Sequence, residues 1–336
     1  MASGYQAITG HDNIIKQLKN AVELDRVSHA YLLTGDEGSG KRTIAKAFGM
    51  ALLCEAEDPQ ARPCLTCPSC RKALSGNHPD LITVTHEKPG SFSVDEIRGQ
   101  LVNTVDILPY EGGRKVYILP EAEKMTPQAQ NALLKTIEEP PEYAVILLLS
   151  SNPDALLPTV LSRCVHLTLL PLPDRLVEQY IREELQIPDY EARVIAAFAQ
   201  GNIGRAKKAA GDEAFSEMRD QTLSLLKGLG NMSTAALYEA VCRIRDRKEE
   251  INDVLDIMLL FYRDVLYYKA SADADRLIFA DEISAIRAQA STTSYLGLTD
   301  ILDALDRCRI RLRANVNTEL ALELLMYLIK ERISGR

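Results

Sequence analysis

One glycine-rich stretch has the residue types and spacing needed to hold a phosphate group. It reads GDEGSGK and runs from Gly35 to Lys41. Glycine lets successive backbone N–H groups turn toward an anion, and a lysine after the last glycine can reach the β- and γ-phosphates of a nucleotide. The sequence therefore predicts a phosphate loop, with contacts from Gly35, Gly38, Gly40 and Lys41.

Two positions near this loop lack the oxygen atoms that usually bind Mg²⁺ beside a nucleotide. The residue after Lys41 is normally Ser or Thr, but here it is Arg42. A second ligand normally comes from an Asp-Glu pair after a later strand, and here the pair is Pro120-Glu121. Because Mg²⁺ neutralises the charge that builds up in phosphoryl transfer, we expect this chain to hydrolyse ATP very poorly or not at all.

Four of the seven cysteines lie close together in the pattern C-x9-C-x2-C-x2-C. Thiolates at this spacing suit tetrahedral Zn²⁺ with no open coordination position, which is typical of a structural site. The predicted ligands are Cys54, Cys64, Cys67 and Cys70. Two alternatives stay open: the cysteines could be free surface thiols, or His78 or His86 could replace one ligand.

Two arginines are candidates for phosphate contacts outside the loop. Arg163 follows a strand and a short helix, where an arginine is usually a solvated charge near the helix end. It could instead serve the ATP of another subunit. Arg205 lies in GNIGRA, residues 201–206, at the start of a predicted helix. It could reach a phosphate from a nucleotide-binding lid, or it could only cap a turn.

The elements that must position these residues alternate between strands and helices. Ala30–Thr34, Val116–Leu119 and Val145–Leu149 have the length and β-branched content of buried parallel strands. A helix is predicted over Pro127–Glu138, and the two prolines after it stop the helix. Its polar residues are expected to face solvent: Gln128, Gln130, Asn131 and Lys135.

Helix-cap signals mark two further helices in the first half of the chain. Asp12 is a plausible N-cap for a helix that continues to Leu24. Ser93 and Glu96 form a capping-box pattern at the start of a helix predicted over Ser93–Val105.

Composition narrows the functional class. The chain has 336 residues, a net charge of −8 and 46% hydrophobic residues, which disfavours both disorder and nucleic-acid wrapping by this chain alone. It lacks an apolar run long enough to span a membrane and a secretory signal at its start, so we expect a cytoplasmic protein. Pro171-Leu172-Pro173 marks a domain boundary, followed by three helices and then by helices to the end.

These features together resemble the clamp-loader branch of the AAA+ ATPases. The resemblance covers essentially the whole chain and rests on His29–Gly49, the four cysteines, Lys115–Pro141 and Ser162–Cys164. It implies an α/β fold: an AAA+ phosphate-loop parallel sheet with helices on both faces, a small helical lid and an all-α collar domain. The implied domains are residues 1–170, with the cysteine insert at 54–70, then 171–212 and 213–336.

The resemblance also implies roles for individual residues. Arg163 matches an arginine finger that enters a neighbouring subunit's ATP site, and Arg205 matches the second sensor of a vestigial nucleotide site. The implied assembly is a hetero-pentameric ring with motor subunits of the gamma/tau type and a delta subunit, acting with the sliding clamp and primed DNA in the nucleoid-associated replisome. The implied cofactors are structural Zn²⁺ and ATP or ADP bound weakly or not at all.

Three functions from different classes fit the sequence to different degrees. The first is a rigid, ATPase-defective assembly subunit that acts on a neighbour's ATP, without polymerase or nuclease chemistry of its own. The second is an active clamp-loader motor with unusual motifs, which Pro120 disfavours because proline cannot bind a metal. The third is a zinc-containing nucleic-acid-binding module, which the lack of aromatic residues beside the cysteines disfavours.

Overall fold

The structure is a computed structural model, and it describes residues 4–88, 90–111 and 113–334. The chain divides into two compact units. The first extends to Leu176 and includes the short segment Asn202–Gly204. The second contains Val177–Gly201 and the chain from Arg205 onward. The predicted separation of a lid from a collar stays a prediction.

The first unit is built on a parallel sheet whose strands run in the order β2-β3-β4-β1-β5. The strands are β1 Ala30–Thr34, β2 Leu81–Thr83, β3 Lys115–Leu119, β4 Ala144–Ser150 and β5 Val165–Thr168. Since β1 lies between β4 and β5, the loop that follows β1 lies inside the sheet's carboxyl edge, where ligands of open α/β sheets bind.

Helices cover both faces of this sheet. They are α1 Asp12–Glu23, α2 Lys41–Leu52, α3 Pro68–Ser75, α4 Val94–Ile97, α5 Pro127–Glu138 and α6 Pro158–Leu161. Short 3₁₀ turns occupy Gly4–Ala7, Pro59–Ala61, Ala122–Lys124 and Pro153–Ala155. Alternate strand residues enter opposite cores, because successive side chains point to opposite faces of a strand. Ile118 packs in the core with α1 and α2, whereas Leu119 packs in the core with α5. The predicted AAA+ sheet with helices on both faces is confirmed.

Helix α5 confirms its predicted ends, but the expected exposure of Gln130 is wrong. Gln130 is buried, while Gln128 on the same helix is exposed. The Gln130 amide donates to the carbonyls of Met125 and Ala155, at 3.1 Å each, and its oxygen accepts from Leu157 N at 2.7 Å. A polar side chain can be buried when all its hydrogen-bonding groups find partners, which helical periodicity does not reveal.

The two cap signals have different outcomes. Helix α1 starts at Asp12, but its N-cap is His11 in a left-handed conformation, so the predicted cap at Asp12 is wrong by one residue. The capping box is confirmed, with Glu96 N donating to Ser93 Oγ and Ser93 N donating to the Glu96 carboxylate. The helix that it starts is α-helical only to Ile97 and continues as a π-helix over Arg98–Val102.

The second unit is helical. Its helices, the first and third of which begin in the first unit, are α7 Asp174–Leu185, α8 Asp189–Ala199, α9 Ile203–Ala210, α10 Glu213–Gly228, α11 Thr234–Asp246, α12 Ile251–Ser271, α13 Ile283–Thr292, α14 Tyr295–Arg313 and α15 Thr318–Ile333. Short 3₁₀ turns lie at Leu229–Asn231 and Ala280–Glu282. Helix α12 is the central element, and its buried residues include Leu255, Phe261 and Tyr262. Among the described residues of both units, no helix is long and apolar enough to cross a membrane.

Candidate functional site

The predicted phosphate loop joins β1 to α2 as the sequence indicates. Gly35, Gly38 and Gly40 all have positive φ, at 149°, 84° and 99°. At Gly35 a Cβ would lie 2.8 Å from the carbonyl oxygen of Leu169, so this position requires glycine for space as well as for backbone freedom. Gly40 is the N-cap of α2, and Lys41 is its first residue.

The ammonium group of Lys41 is bound to the loop's own backbone. Lys41 Nζ donates to the carbonyl oxygens of Gly35, at 2.5 Å, and Asp36, at 2.7 Å. Burial lowers the pKa of Lys41, while the carboxylates of Glu123, Asp36 and Glu37 act in the opposite direction. Two of the three N–H donors of this ammonium group are therefore used within the loop, which leaves one for a phosphate.

The acidic residue at the end of β3 is held by two neighbours. Glu121 has a left-handed backbone, with φ of 52°. His86 Nε2 and Lys124 Nζ each contact its carboxylate at 2.8 Å. The hydrogen bonds from Lys124 and His86 lower the pKa of Glu121, which favours its charged form. Pro120, directly before it, has no carboxylate that could bind a metal.

Glu123 is a carboxylate near the loop that sequence motifs did not reveal. One of its oxygens accepts hydrogen bonds from the backbone N–H and the hydroxyl of Ser151, while the other oxygen is buried and has no hydrogen-bond partner among the described residues. Its charge also acts on Lys41. No spacing rule selects Glu123, because it meets Ser151 only through the pairing of β3 with β4.

A short segment of the first unit, Asn202–Gly204, packs directly against the phosphate loop. The backbone N–H of Gly204 donates to the carbonyl of Gly38 at 3.0 Å, and the Asn202 amide donates to the carbonyl of Glu37 at 2.6 Å. A Cβ at Gly204 would lie 2.6 Å from the Cα of Gly38. The residue that contacts Gly38 is therefore Gly204, which has no side chain that could bind a phosphate.

Arg205 belongs to the second unit and is bound there by acidic residues. Its guanidinium forms an ion pair with Asp253 at 2.7 Å and a second one with Asp256. It also stacks on Phe198, with 3.9 Å between the guanidinium carbon and the ring centroid. Asp256 accepts a further hydrogen bond from Arg309. These contacts give Arg205 a structural role, and its predicted role as a phosphate sensor stays a prediction.

The four predicted metal ligands come together. The sulfur atoms of Cys54, Cys64, Cys67 and Cys70 all lie within 4.8 Å of one another. Burial raises the pKa of the Cys54 thiol, whereas hydrogen bonds from Thr66 are the main reason that the pKa of Cys64 falls to about 6. Four sulfur atoms at this separation suit a closed tetrahedral site, so the cluster could hold a metal ion.

The two histidines near the cluster are engaged elsewhere. His78 Nε2 contacts Ser69 Oγ at 2.9 Å, and its Nδ1 accepts from the backbone N–H of Asp80 at 3.0 Å. His86 contacts Glu121 with one ring nitrogen and the carbonyl of Lys88 with the other. Since both nitrogens of each ring are used, these contacts disfavour the alternative in which a histidine replaces a cysteine ligand.

Arg163 lies two residues after α6, on the surface of the first unit. Its guanidinium forms an ion pair with Glu138 at 2.8 Å and donates to the carbonyl of Thr159 at 3.0 Å. The side chain of Arg163 is 39% exposed. The next residue, Cys164, packs against the core, and burial raises its pKa to about 12. The backbone is therefore anchored while the guanidinium stays accessible.

Comparison with protein families and known sequences agrees with these observations. Residues 10–173 match the family described as DNA polymerase III, delta subunit, and residues 215–331 match DNA polymerase III, delta subunit, C terminal. The DNA polymerase III subunit delta' of Bacillus subtilis is 31% identical over 326 residues, which is 95% of each chain. The subunit delta' of Pseudomonas aeruginosa is 32% identical over 89% of this chain and 90% of its own.

A subunit tau also matches, over a smaller share of its length. The DNA polymerase III subunit tau of Bacillus subtilis is 29% identical over 80% of this chain, but the match spans only 50% of tau. The delta' sequences are matched along nearly their whole length, and both family models describe the delta subunit. The chain therefore belongs to the delta' family of DNA polymerase III subunits, within the clamp-loader branch of the AAA+ proteins.

Proposed function

We propose that this chain is the delta' subunit of a bacterial clamp loader and that it supplies Arg163 to the ATP site of a neighbouring subunit. The observation that carries the proposal is the state of Arg163: a partly exposed guanidinium, on an anchored backbone, held by a surface ion pair to Glu138 and a hydrogen bond to the carbonyl of Thr159. An arginine finger provided in trans can increase phosphoryl transfer by about 10³–10⁵-fold.

Releasing Arg163 from Glu138 costs little. Both side chains are partly exposed, at 39% and 44%, and such surface ion pairs contribute about 0–1 kcal/mol. A bidentate contact to a phosphate in a closed site is stronger, because charge-assisted bonds gain strength where water is excluded. Glu138 would therefore bind the guanidinium of Arg163 in the free subunit, but it would compete only weakly with ATP for that guanidinium in the assembled ring.

The chain's own nucleotide site is unsuited to hydrolysis. Arg42 and Pro120 stand where a hydroxyl and a carboxylate would bind Mg²⁺. The neighbouring carboxylate, Glu121, already accepts hydrogen bonds from His86 and Lys124, so these two groups compete with a water molecule for it. The subunit would thus be catalytic only through a neighbour.

The assembly that fits this role is a ring in which the chain is a rigid member. We assign it partners of the gamma/tau motor type and a delta subunit in a hetero-pentamer, within the cytoplasmic DNA polymerase III holoenzyme at the nucleoid. The ring would open the sliding clamp and place it on primed DNA. The net charge of −8 fits contact with DNA through the assembly and not through this chain alone.

The metal at the cysteine cluster is proposed to be Zn²⁺ in a structural role. Cys54 and Cys70 are buried, and they pack with Met50 of α2 and Ala73 of α3. Four cysteine ligands leave no position for water, so the metal would supply folding energy and not chemistry.

The test is DNA-stimulated ATP hydrolysis by the reconstituted loader, with this chain as wild type, Arg163→Ala or Arg163→Lys. We expect Arg163→Ala to abolish turnover at the neighbouring site while the ring still assembles. Arg163→Lys should restore little, because an ammonium group cannot make the bidentate contact. Glu138→Gln is the matched control, since it removes the charge that pairs with Arg163 and should retain full turnover. Equal rates for wild type and Arg163→Ala in assembled rings would contradict the proposal.

The second candidate is an active motor ATPase. It is favoured by the intact GxxxxGK pattern, Gly35 to Lys41, and by the match to tau. It predicts Mg²⁺-dependent turnover by the purified chain that Lys41→Ala abolishes. Absence of such turnover, together with the Arg163 effect, would leave only the first function.

A further inference from the structure

A cavity of about 450 Å³ lies within the first unit, and Arg42, the residue that follows the phosphate loop, lines it. It is bounded by the first turns of α2, by the end of β2 and by the residues that follow β3. Its charged and polar lining includes Arg42, Lys46, His86 and Glu121, and Pro120 forms part of the wall. This volume is within the range of small-molecule sites, which is about 300–1,000 Å³.

The cations of this cavity are not neutralised by the protein. Arg42 is exposed and forms no hydrogen bond or ion pair with any residue that the structure describes. Lys46 makes one long hydrogen bond, 3.3 Å, to the carbonyl of Leu74. The acidic group in the lining, Glu121, is already paired with His86 and Lys124. The cavity therefore favours an anion.

The position of Arg42 defines which anion. It directly follows Lys41, the residue that meets the β- and γ-phosphates in a phosphate loop, and it faces the same cavity as Pro120. These two positions normally supply the ligands of Mg²⁺, so the metal would lie between them. Here a guanidinium, with a permanent positive charge and a fork of N–H donors, occupies one side of that space.

We infer that this site binds the triphosphate of a nucleotide without Mg²⁺, with the guanidinium of Arg42 in place of the metal. Mg²⁺ should weaken the binding and not strengthen it, because a metal on the phosphates reduces their negative charge and repels the guanidinium. This inference concerns the chain's own loop and does not depend on the trans role of Arg163.

The experiment is calorimetric titration of the purified full chain with ATP, once in EDTA and once in excess Mg²⁺. We expect measurable binding in EDTA that is weakened several-fold by Mg²⁺. Inorganic tripolyphosphate should compete, since the contacts are to phosphates. Arg42→Thr should weaken binding in EDTA by about tenfold or more, the size of a lost hydrogen bond to a charged group. Arg26→Thr, another exposed arginine of the same unit, should change nothing.

A second variant tests the position of the guanidinium. Arg42→Thr combined with Pro120→Asp restores both metal ligands and should reverse the order, with tighter binding in Mg²⁺ than in EDTA. Three results would overturn the inference: no binding in EDTA, tighter binding of the wild type with Mg²⁺, or wild-type affinity in Arg42→Thr. Arg163→Ala should bind ATP at the chain's own loop as the wild type does. A failure of the inference about Arg42 can therefore be distinguished from a failure of the proposed trans role of Arg163.

Discussion

The phosphate loop and the region around Arg163 use their cations in opposite ways. Lys41 donates to the backbone carbonyls of its own loop, and Gly204 closes against the loop from the other side. Arg163 instead extends from an anchored backbone to the surface, where it pairs with Glu138 and donates to the carbonyl of Thr159. We propose on this basis that the first region holds a ligand without reacting with it, whereas the second acts on a ligand held by a neighbouring subunit.

Under the proposed function, the catalytic group and the nucleotide-binding groups would be separated within one AAA+ domain. The fold positions both regions through the same sheet, since the loop follows β1 and α6 follows β4. Pro120 removes a metal ligand at the end of β3 without disturbing the strand, because proline is tolerated where no ladder hydrogen bond is needed. The proposed loss of hydrolysis at one site is thus compatible with the proposed contribution to another.

Metal removal should have the largest effect on stability, and it should affect the phosphate-loop region more than the region around Arg163. Cys54 follows the C-terminal end of α2, so chelation should loosen the phosphate-loop helix while α5 and Arg163 keep their packing. Structural Zn²⁺ contributes about 10–16 kcal/mol in short peptides, so the free energy of unfolding should fall clearly. The measurement is thermal unfolding with hydrogen exchange, with and without a chelator.

A Cys54→Ser/Cys70→Ser variant is the control for metal removal, because it should melt early and should not respond to the chelator. Identical melting of the wild type in both conditions would argue against a structural metal. Equal loss of protection in α2 and α5 would show that the two regions are not separable.

Gln130→Ala should destabilise the region around Arg163. The substitution leaves Leu157 N–H and the carbonyls of Met125 and Ala155 without their partner, and Leu157 precedes the helix that leads to Arg163. We expect a loss of about 2–4 kcal/mol in unfolding free energy and lower loader ATPase activity. Urea denaturation and reconstituted turnover are the measurements. Gln128→Ala, on the exposed side of α5, should stay within about 0.5 kcal/mol, and equal costs would refute the role of Gln130.

Gly204→Ala should have the smallest effect and act on the phosphate loop. Its Cβ would lie 2.6 Å from the Cα of Gly38, so the segment or the loop must shift. Overpacking of this kind costs about 1–3 kcal/mol. ATP affinity should change with it, whereas the trans activity of Arg163 should not. Gly99→Ala is the control, because nothing lies within 4 Å of its Cβ. Matching urea midpoints for the two variants would count against a tight contact at Gly204.

The sequence by itself determined the elements and the residues that depend on local pattern. Strand β1, helix α5 and the capping box of Ser93 and Glu96 are where periodicity and capping rules place them. The loop glycines and the clustered cysteines were also recognisable, because their chemistry depends on short spacing. Such features depend on neighbours within a few residues, and so they can be read along the chain.

Only the tertiary structure decided which polar groups meet across long separations. His86 binds Glu121 over 35 positions, and Asn202 reaches Glu37 over 165. The burial of Gln130 depends likewise on Ala155 and Leu157, which the sheet brings beside α5. Hydrogen bonds between distant residues form only after the chain has packed, so no periodicity or motif encodes them, and they determine what the candidate site can do.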